Sequence, residues 1–436
     1  MTNEAPEDLP DGTPGASVLP GPPAATLRGH RDFNRLWAGE SLSVFCKEIG
    51  QLALPVVAVA LLDATTFQVG VLNAASTAAF LLVGLPAGAW VDRWLKRRTM
   101  IAADLVRVAV ALVVPVLWFA GALAMWHLYA VALVIGAASV FFDVSYQSYL
   151  PFLVRPDQVG AANSRLEGTA QIARIGGPAL GGLLLKVISA PVLMLSDAVG
   201  YLASAIALLR VRDTEVPTAR ADHDPLVTAV AEGLRFVLHH ELLRPITLCT
   251  SLSNIGSTLV NTLMPILLLR TLGFEPWVLG LVFSVGSVGG ILGALTAARF
   301  ARVIGEGTVI PVSAVVFGIP CVLLPLTVHA PNHAIAVAML LVAEFLTSWS
   351  VLTYNVTQVS MRQRVCPPRL LGRMNASIRF LVWGVMPLAA LGSGLLAGQI
   401  GVVPTLWVGT AIGVLASLPV VFSPLRGMRT LPDAPA

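Results

Sequence analysis

Ionisable side chains interrupt the long apolar stretches of this 436-residue chain, and six of them are the leading candidates for a functional site. They are Lys47, Glu48, Asp143, Arg174, Glu344 and Arg379. A charge inside a bilayer is costly and marks a candidate functional group. Desolvation favours the neutral form of a carboxyl group, so an acid in such a stretch is suited to exchange a proton. The chemistry that these residues predict is the binding of a proton or of a small charged molecule at mid-depth in a membrane.

Glu48 lies about ten residues into the first apolar stretch and precedes Pro55 by seven residues. We interpret it as a coupling or substrate-binding residue, and the alternative is a structural ion pair with Arg174 or Arg379. Its neighbour Lys47 points about 100° away around a helix, so the two need not pair. Lys47 could itself select an anionic substrate, and the two arginines could hold an anionic substrate or neutralise Glu48.

Other acids in the apolar stretches are candidates for the same chemistry. Asp143 precedes Pro151 by eight residues, and we interpret it either as a gating residue or as an ion-pair partner. Glu344 is the candidate in the second half of the chain for binding a proton or a cation. Asp197 and Glu40 are weaker candidates.

The elements that must position these groups are helices that cross a membrane. The chain is 56% hydrophobic and 12% charged, whereas a soluble domain carries about 25% charged residues. Lipid must therefore be the solvent for most of the chain. Apolar runs of spanning length fall at 38–62, 69–91, 99–120, 125–151, 164–188 and 191–209, and again at 244–270, 277–300, 307–328, 333–360, 374–398 and 402–423. We predict an all-α integral membrane protein with twelve transmembrane helices in two pseudo-symmetric six-helix bundles.

The apolar runs also predict the organisation of the chain. We expect a disordered N-terminal tail at 1–35, an N-terminal bundle at 36–209, a linker with an amphipathic helix at 210–243, a C-terminal bundle at 244–423 and a C-terminal tail at 424–436. The first 27 residues hold six prolines and no apolar run, so they lack the features of a signal peptide. The four cysteines have no metal-ligand spacing and are expected to be free thiols.

The two bundles are predicted to be copies of one unit. Val144, Ser148, Pro156, Gly160 and Asn163 match Val356, Ser360, Pro368, Gly372 and Asn375 at an offset of 212 residues. Ser41, Ser43, Pro55 and Gly70 match Ser251, Ser253, Pro265 and Gly280 at an offset of 210. Two related halves in the same orientation imply a pseudo-two-fold axis along the membrane normal.

Basic residues predict the orientation of the chain in the membrane. Most of the 28 Lys and Arg residues fall on one side, in the tails, the linker and the turns after even-numbered helices. The opposite side keeps only Lys186 and Arg270. Cytoplasmic loops carry an excess of Lys and Arg, so we expect both termini and the linker to be cytoplasmic. The amphipathic helix of the linker should lie along the inner surface as a tether, and a regulatory role is the alternative.

Two motifs carry a resemblance to a known family. The turn after the second run reads Gly88-Ala-Trp-Val-Asp92-Arg93-Trp-Leu-Lys96-Arg97-Arg98. It resembles the GxLADRxGRK loop of the major facilitator superfamily, with leucine in place of the second glycine. The GP-x-x-GG of Gly177, Pro178, Gly181 and Gly182 resembles the antiporter motif of the exporter branches. The block from Asp143 to Gly182 is similar to the branch that includes enterobactin and macrolide exporters.

The resemblance implies roles for the residues of both motifs. Gly88, Asp92, Arg93 and Arg97 would form a latch between the halves in the outward-facing state, with Asp92 against the start of helix eleven near Arg373–Ser377. A solvated loop charge is the alternative for Asp92. Asp104 and Arg107 share a helix face and are expected to form an ion pair that supports the latch. The bend at the antiporter motif would help to seal the pathway, and close packing alone is the alternative.

The resemblance implies a secondary active transporter that exports a small amphipathic molecule, such as a drug, an antibiotic, a secondary metabolite or a siderophore. The proton gradient would drive it. The chain has no nucleotide-binding loop and no zinc-protease or nucleophile-elbow motif, so we expect no enzyme activity, no cofactor and no metal. An importer or lipid flippase on the same fold is one alternative, and a non-transporting receptor or scaffold is another. We expect a small-molecule substrate and the lipid bilayer as partners, no nucleic acid, a functional monomer, and a bacterial-type cytoplasmic (plasma) membrane.

Overall fold

The computed structural model describes residues 27–91, 94–155, 158–212, 226–367 and 370–428. Within these ranges the chain is helical and forms no strand. The long helices are α1 Arg31–Leu61, α2 Thr66–Val91, α3 Lys96–Phe119, α4 Met125–Leu153, α5 Val159–Leu184, α6 Ala190–Arg210, α7 Leu243–Thr271, α8 Pro276–Ile304, α9 Val309–His329, α10 His333–Val365, α11 Leu371–Trp383 continued by Met386–Ile400, and α12 Val402–Val421. A linker helix, Leu226–His239, lies between α6 and α7.

Eleven helices in the described ranges are long and apolar enough to cross a membrane. The remaining long helix, α5, has 26 residues, a length that spans a bilayer, but it carries Arg165, Glu167 and Arg174. It packs against α1 in its own half and against α8 in the other half. Glu167 and Arg174 line cavities inside the molecule, so the polar face of α5 is turned away from lipid. The predicted fold class is confirmed.

The helices extend past the apolar runs where polar residues continue them. α1 begins at Arg31 rather than at residue 38, and His30 caps it by accepting a hydrogen bond from the backbone N–H of Phe33 at 3.0 Å. α10 continues beyond residue 360 through Arg362 and Arg364. Hydropathy marks where lipid contact ends, whereas caps and backbone hydrogen bonds decide where a helix ends.

The apolar core shows that the two halves meet on one side only. The linker side is the side where α1 begins and the linker helix lies, and the far side is the side where α1 ends at Leu61. On the far side a single cluster of buried residues includes Val57 of the first half and Leu263 of the second. On the linker side the halves have separate clusters, one around Met100 and one around Met361. The halves therefore diverge toward the linker side.

Two glycine crossings join the halves on the far side. A Cβ on Gly280 of α8 would lie 3.0 Å from the Cα of Gly182 on α5. A Cβ on Gly70 of α2 would lie 2.9 Å from the Cα of Gly394 on α11. The two crossings are related by the repeat, because Gly70 and Gly280 differ by 210 residues and Gly182 and Gly394 by 212. Only glycine allows helix backbones to approach this closely.

The Gly280→Ala substitution tests the α5–α8 crossing. The added methyl meets the backbone of α5 at Pro178 and Gly182, so we expect a loss of stability of about 1–3 kcal/mol, as for other overpacked sites. The measurement is the melting temperature of the purified protein in detergent. The matched control is Gly168→Ala on α5, where nothing lies within 4 Å of the new Cβ. A melting temperature that falls equally in both variants would contradict the assignment of this crossing as a close contact.

Candidate functional site

Three of the cavities that described residues line meet near the centre of the molecule. The N cavity, of about 580 Å³, lies between α1, α4 and α5. The central cavity, of about 490 Å³, is walled by α1 and α5 of the first half and by α8 and α10 of the second. The C cavity, of about 240 Å³, lies between α7, α9 and α10. Arg174 lines the N and central cavities, and Glu344 lines the central and C cavities. The three cavities thus adjoin one another across the halves.

Glu48 lies on the wall of the central cavity and is half-buried. Gln51, three residues further along α1, donates a hydrogen bond from its Nε2 to the Oε2 of Glu48 at 2.9 Å. Gly177 of the antiporter motif packs against Glu48, since a Cβ there would lie 2.9 Å from the Glu48 carbonyl carbon. The motif therefore positions the helix turn that carries this carboxylate.

The alternative role for Glu48, a structural ion pair, is not what the structure contains. Arg174 is 3.6 Å from a carboxylate oxygen of Glu167 on its own helix. Arg379 lies in the other half, with its guanidinium 5.6 Å from the ring centre of Trp383. Among the described residues no cation lies within ion-pair distance of Glu48. Its charge is met by a neutral amide and by the longer-range fields of Arg174 and its neighbour Lys47.

Glu344 faces the central cavity from the opposite half. Its side chain packs against Gly286 of α8, where a Cβ would lie 2.7 Å from its Cγ. The Ser348 hydroxyl, one turn along α10, lies at the same contact, 3.1 Å from that Cβ. No basic residue in the described ranges pairs with it. The other polar residues that line the C cavity are neutral and include Thr250, Ser253, Asn254, Ser257, Asn261, Ser313 and Thr347. Glu344 is therefore a carboxyl group among hydroxyls and amides.

Asp143 of α4 and Glu40 of α1 both line the N cavity. The Glu40 Oε2 is buried and has no hydrogen-bond partner among the described residues. Lys47, two turns along α1, is exposed and attracts both carboxylates. From the sequence, we interpret Asp143 either as an ion-pair partner or as a gating residue. It forms no close ion pair with a residue in the described ranges. The gating role stays a prediction.

Asp104 and Arg107 form an ion pair in the centre of the first half. Their side chains are 0% and 5% exposed. The guanidinium also lies over two rings, 4.2 Å from the ring centre of Phe142 and 4.4 Å from that of Tyr201. Because these rings belong to α4 and α6, the pair links α3 to two other helices of the first half. Arg107 thus holds one bundle together rather than joining the two.

The predicted latch lies partly outside the described residues. Asp92 and Arg93 fall there, so their role stays a prediction. Gly88 lies in the last turns of α2. Arg97 donates from its Nε to the carbonyl oxygen of Leu208 at 2.8 Å. This bond caps the end of α6 with a cation, which the helix dipole favours, and it stays within the first half.

The start of α11, where the resemblance places the latch of Asp92, is covered by the linker helix. Glu232 of the linker helix forms an ion pair with Arg373. Gly233 follows it and packs against the backbone of Arg373 and the hydroxyl of Ser377. The linker helix therefore packs on α11 of the second half. α11 is also the helix that contacts α2 of the first half.

Two residues that the sequence analysis did not name as site residues bridge the halves on the far side. Arg270 contacts the end of α1, and Lys186 lies over the ring of Trp277. The sequence did contain a signal for them, because they are the two basic residues on the side of the membrane that otherwise lacks Lys and Arg. Gln51 and Gly286 had no comparable signal, since a neutral amide and a glycine are common in helices of any kind.

Two related six-helix halves, each with a carboxyl group on the wall of one central cavity, define a transporter of the major facilitator superfamily. More narrowly, the profile of the family described as "Transmembrane secretion effector" matches residues 23–435. The chain belongs to this family. It is a multi-pass membrane protein.

Curated relatives with similar sequences span most of the chain. Macrolide efflux protein A of Streptococcus pyogenes is 24% identical over 374 residues, covering 85% of this chain and 90% of that protein. The multidrug efflux pump Tap of Mycolicibacterium fortuitum is 24% identical over 372 residues, covering 83% and 88%. The staphyloferrin A transporter of Staphylococcus aureus is 25% identical and covers 77% and 82%.

Solved structures share the fold at low sequence identity. A point mutant of the nucleoside transporter NupG superimposes with a TM-score of 0.75 at 12% identity, covering 89% of this chain and 99% of that chain. A bacterial homologue of the iron transporter ferroportin superimposes with a TM-score of 0.68 in its inward-facing state, at 15% identity and 90% and 98% coverage. The outward-facing state of that homologue gives 0.55, at 17% identity and 89% and 98% coverage.

The Asp104→Asn substitution tests the buried ion pair. It leaves the Arg107 guanidinium buried without its carboxylate, and breaking such a pair destabilises proteins by about 3–5 kcal/mol. We expect a large fall in melting temperature and in folded yield. Asp32→Asn is the matched control, because Asp32 and Arg35 form a pair with the same spacing at the surface, where the arginine is 43% exposed. That variant should change stability by less than about 1 kcal/mol. Equal effects of the two substitutions would contradict the structural role of the buried pair.

Proposed function

We propose that this transporter exports a small amphipathic molecule, cationic or neutral, in exchange for protons. The observation that carries the proposal is that Glu48 of one half and Glu344 of the other line a single central cavity. A ligand in this cavity touches both halves, so its binding can be linked to their relative movement. Relatives named for the efflux of macrolides and of multiple drugs support export as the direction.

The lining of the central cavity favours an amphipathic cation. Among the described residues that line it, its two carboxyl groups are accompanied by one basic residue, Arg174, which is already engaged with Glu167. Apolar side chains on α8 and α10 complete the wall, among them Phe283, Ile291, Leu295 and Leu352. A ring system or aliphatic body can pack on this wall while an amine approaches a carboxylate. The same carboxyl groups, when protonated, offer a neutral surface to an uncharged substrate.

The orientation follows from charge. We infer that the linker side is cytoplasmic, since it carries most of the Lys and Arg residues. The termini are then cytoplasmic as well, and the membrane is the plasma membrane of a bacterial cell. On this assignment the structure has its far side closed and its central cavity approached from the cytoplasm. This is the state in which an exporter loads its substrate.

The proposed cycle alternates the access of Glu48 to the two sides. With the linker side open and Glu48 ionised, a substrate enters from the cytoplasm or the inner leaflet. The halves then rock about the cavity between α1, α4, α5, α7, α8, α10 and α11. A proton taken up by Glu48 from outside removes the charge that held the substrate, which leaves outward. The protonated site returns to the linker side and releases its proton, so the gradient drives the cycle. One transporter can complete this cycle alone.

Import, lipid flipping and a receptor or scaffold role would each place different demands on the molecule. An importer or a lipid flippase could use the same central cavity, and the names of the relatives favour export over either. A receptor or scaffold requires neither an acid on each wall of a central cavity nor halves that separate on one side. Measuring the efflux of fluorescent cations separates these possibilities.

The test follows a panel of fluorescent amphipathic cations in cells that lack their own pumps. We expect cells with the wild-type protein to accumulate less dye, and a protonophore to abolish the difference. Glu48→Gln and Glu344→Gln should each lower the efflux rate about tenfold or more, because each removes an ionisable group from the cavity wall. Glu241→Gln, an exposed acid outside the cavities, is the matched control and should leave efflux unchanged.

Reconstitution separates coupling from binding. The amide of Glu48→Gln imitates the protonated carboxyl, so in proteoliposomes we expect it to lose uphill transport driven by protons. Movement of substrate down its gradient should be weakened but retained, because Glu344 still lines the cavity. Loss of both activities would assign Glu48 to substrate binding alone. Unchanged dye accumulation in every strain would instead point to an anionic or zwitterionic substrate, with Lys47, Arg174 and Arg379 as its binding residues.

A further inference from the structure

Two cations on the far side are placed against the charge bias of the chain. Lys186 follows the end of α5 in the first half, and Arg270 lies in the last turn of α7 in the second. Each of them reaches into the opposite half. This reciprocity is not required by the fold, since the glycine crossings already bring the helices together.

Arg270 binds the end of α1. Its Nη1 donates to the carbonyl oxygen of Ala64 at 2.9 Å, and its Nη2 donates to that of Val59 at 3.1 Å. Nη2 is also 2.8 Å from the Oδ1 of Asp63. Asp63 is 93% exposed, so this ion pair with it contributes little. The two bonds to backbone carbonyls are the firmer part of the contact.

The end of α1 is built to receive a cation. Its last turn, Val57–Leu61, is a wide π-turn, and Asp63 follows it in the left-handed conformation with φ +47°. The last carbonyls of a helix have no partner within it and carry its negative dipole end. The guanidinium fork of Arg270 satisfies two carbonyls of this segment at once. A helix end in one half is therefore capped by a side chain from the other half.

The repeat shows that this cap is an addition to the common design. α7 ends in the same π-turn, Leu267–Thr271, and Gly273 takes the place of Asp63 at an offset of 210 with φ +67°. The residue of the first half that is equivalent to Arg270 in the repeat is Ala60. The first half thus has the same turn without the cation.

Lys186 makes the return contact. Its Nζ lies 4.3 Å from the ring centre of Trp277, which belongs to the first turn of α8. The residue at the repeat position, 212 residues later, is Gly398. A cation over an indole ring at an exposed site is a weak attraction. This contact lies beside the Gly182–Gly280 crossing, which opens when α5 and α8 separate.

We propose that Arg270 and Lys186 form a two-point clasp that holds the far side closed and sets the balance between the two ends of the transport cycle. Both contacts join the halves on the far side and must break when that side opens. They lie away from the central cavity, so they act on the conformational equilibrium and not on the ligand. The proposal holds whatever the substrate or the coupling ion is.

The test measures the distance between the halves on the far side by pulsed dipolar spectroscopy. Cysteines introduced at Ala122 and Pro331, exposed residues in far-side turns of the two halves, carry spin labels. The four native cysteines are buried, which limits background labelling. In the full chain in lipid nanodiscs without substrate, we expect Arg270→Gln to raise the ratio of far-side-open to far-side-closed molecules about tenfold, or about 1.4 kcal/mol. Lys186→Gln should raise it about threefold.

Two further variants make the result specific. Arg270→Lys keeps the charge but lacks the planar fork, so it should give an intermediate shift. Arg244→Gln removes an exposed cation on the linker side and should leave the distance distribution unchanged. An unchanged distribution in the Arg270→Gln, Arg270→Lys and Lys186→Gln proteins, each monodisperse in size-exclusion chromatography, would overturn the proposal. An equal shift in the Arg244→Gln protein would overturn it as well, because the effect would then be one of net charge.

Discussion

The close approach of helix backbones at two glycine crossings is the constraint on which the rest of this structure depends. Gly182 meets Gly280, and Gly70 meets Gly394, so α5 lies against α8 and α2 against α11 on the far side. With these crossings closed, one apolar core runs through both halves there. The helices can then diverge toward the linker side, where each half keeps its own core. The central cavity is a consequence of that divergence.

The antiporter motif connects the crossing to the candidate coupling residue. Gly182 belongs to the crossing with α8, while Gly177 and Gly181 pack against Glu48 and Ile49 of α1. Adjoining faces of α5 therefore touch α1, which carries the carboxylate, and α8, which must move away from α5 when the far side opens. A movement of α5 changes the surroundings of Glu48 and the far-side seal together. This is a physical route by which protonation could be linked to opening, without a long chain of intermediates.

The repeat gives the two halves one backbone plan, and the side chains make them different. The first half contains buried and cavity-facing charges, among them Glu40, Asp104, Arg107 and Asp143, which hold its helices together or face the N cavity. The C cavity of the second half is lined by neutral hydroxyls and amides around Glu344. The clasp of Arg270 has no counterpart in the first half. Symmetric backbones allow both ends of a cycle to form, and asymmetric side chains decide which end is favoured.

The sequence by itself determined the helices, their order, the repeat and the short set of charges in apolar surroundings. These properties are local, because hydropathy and residue spacing act over one helix at a time. Only the tertiary structure decided that Arg174 pairs with Glu167 and leaves Glu48 to Gln51. It also decided which side is closed and what Arg270 reaches. Such facts depend on distances between helices far apart in the chain, and no local pattern encodes those distances.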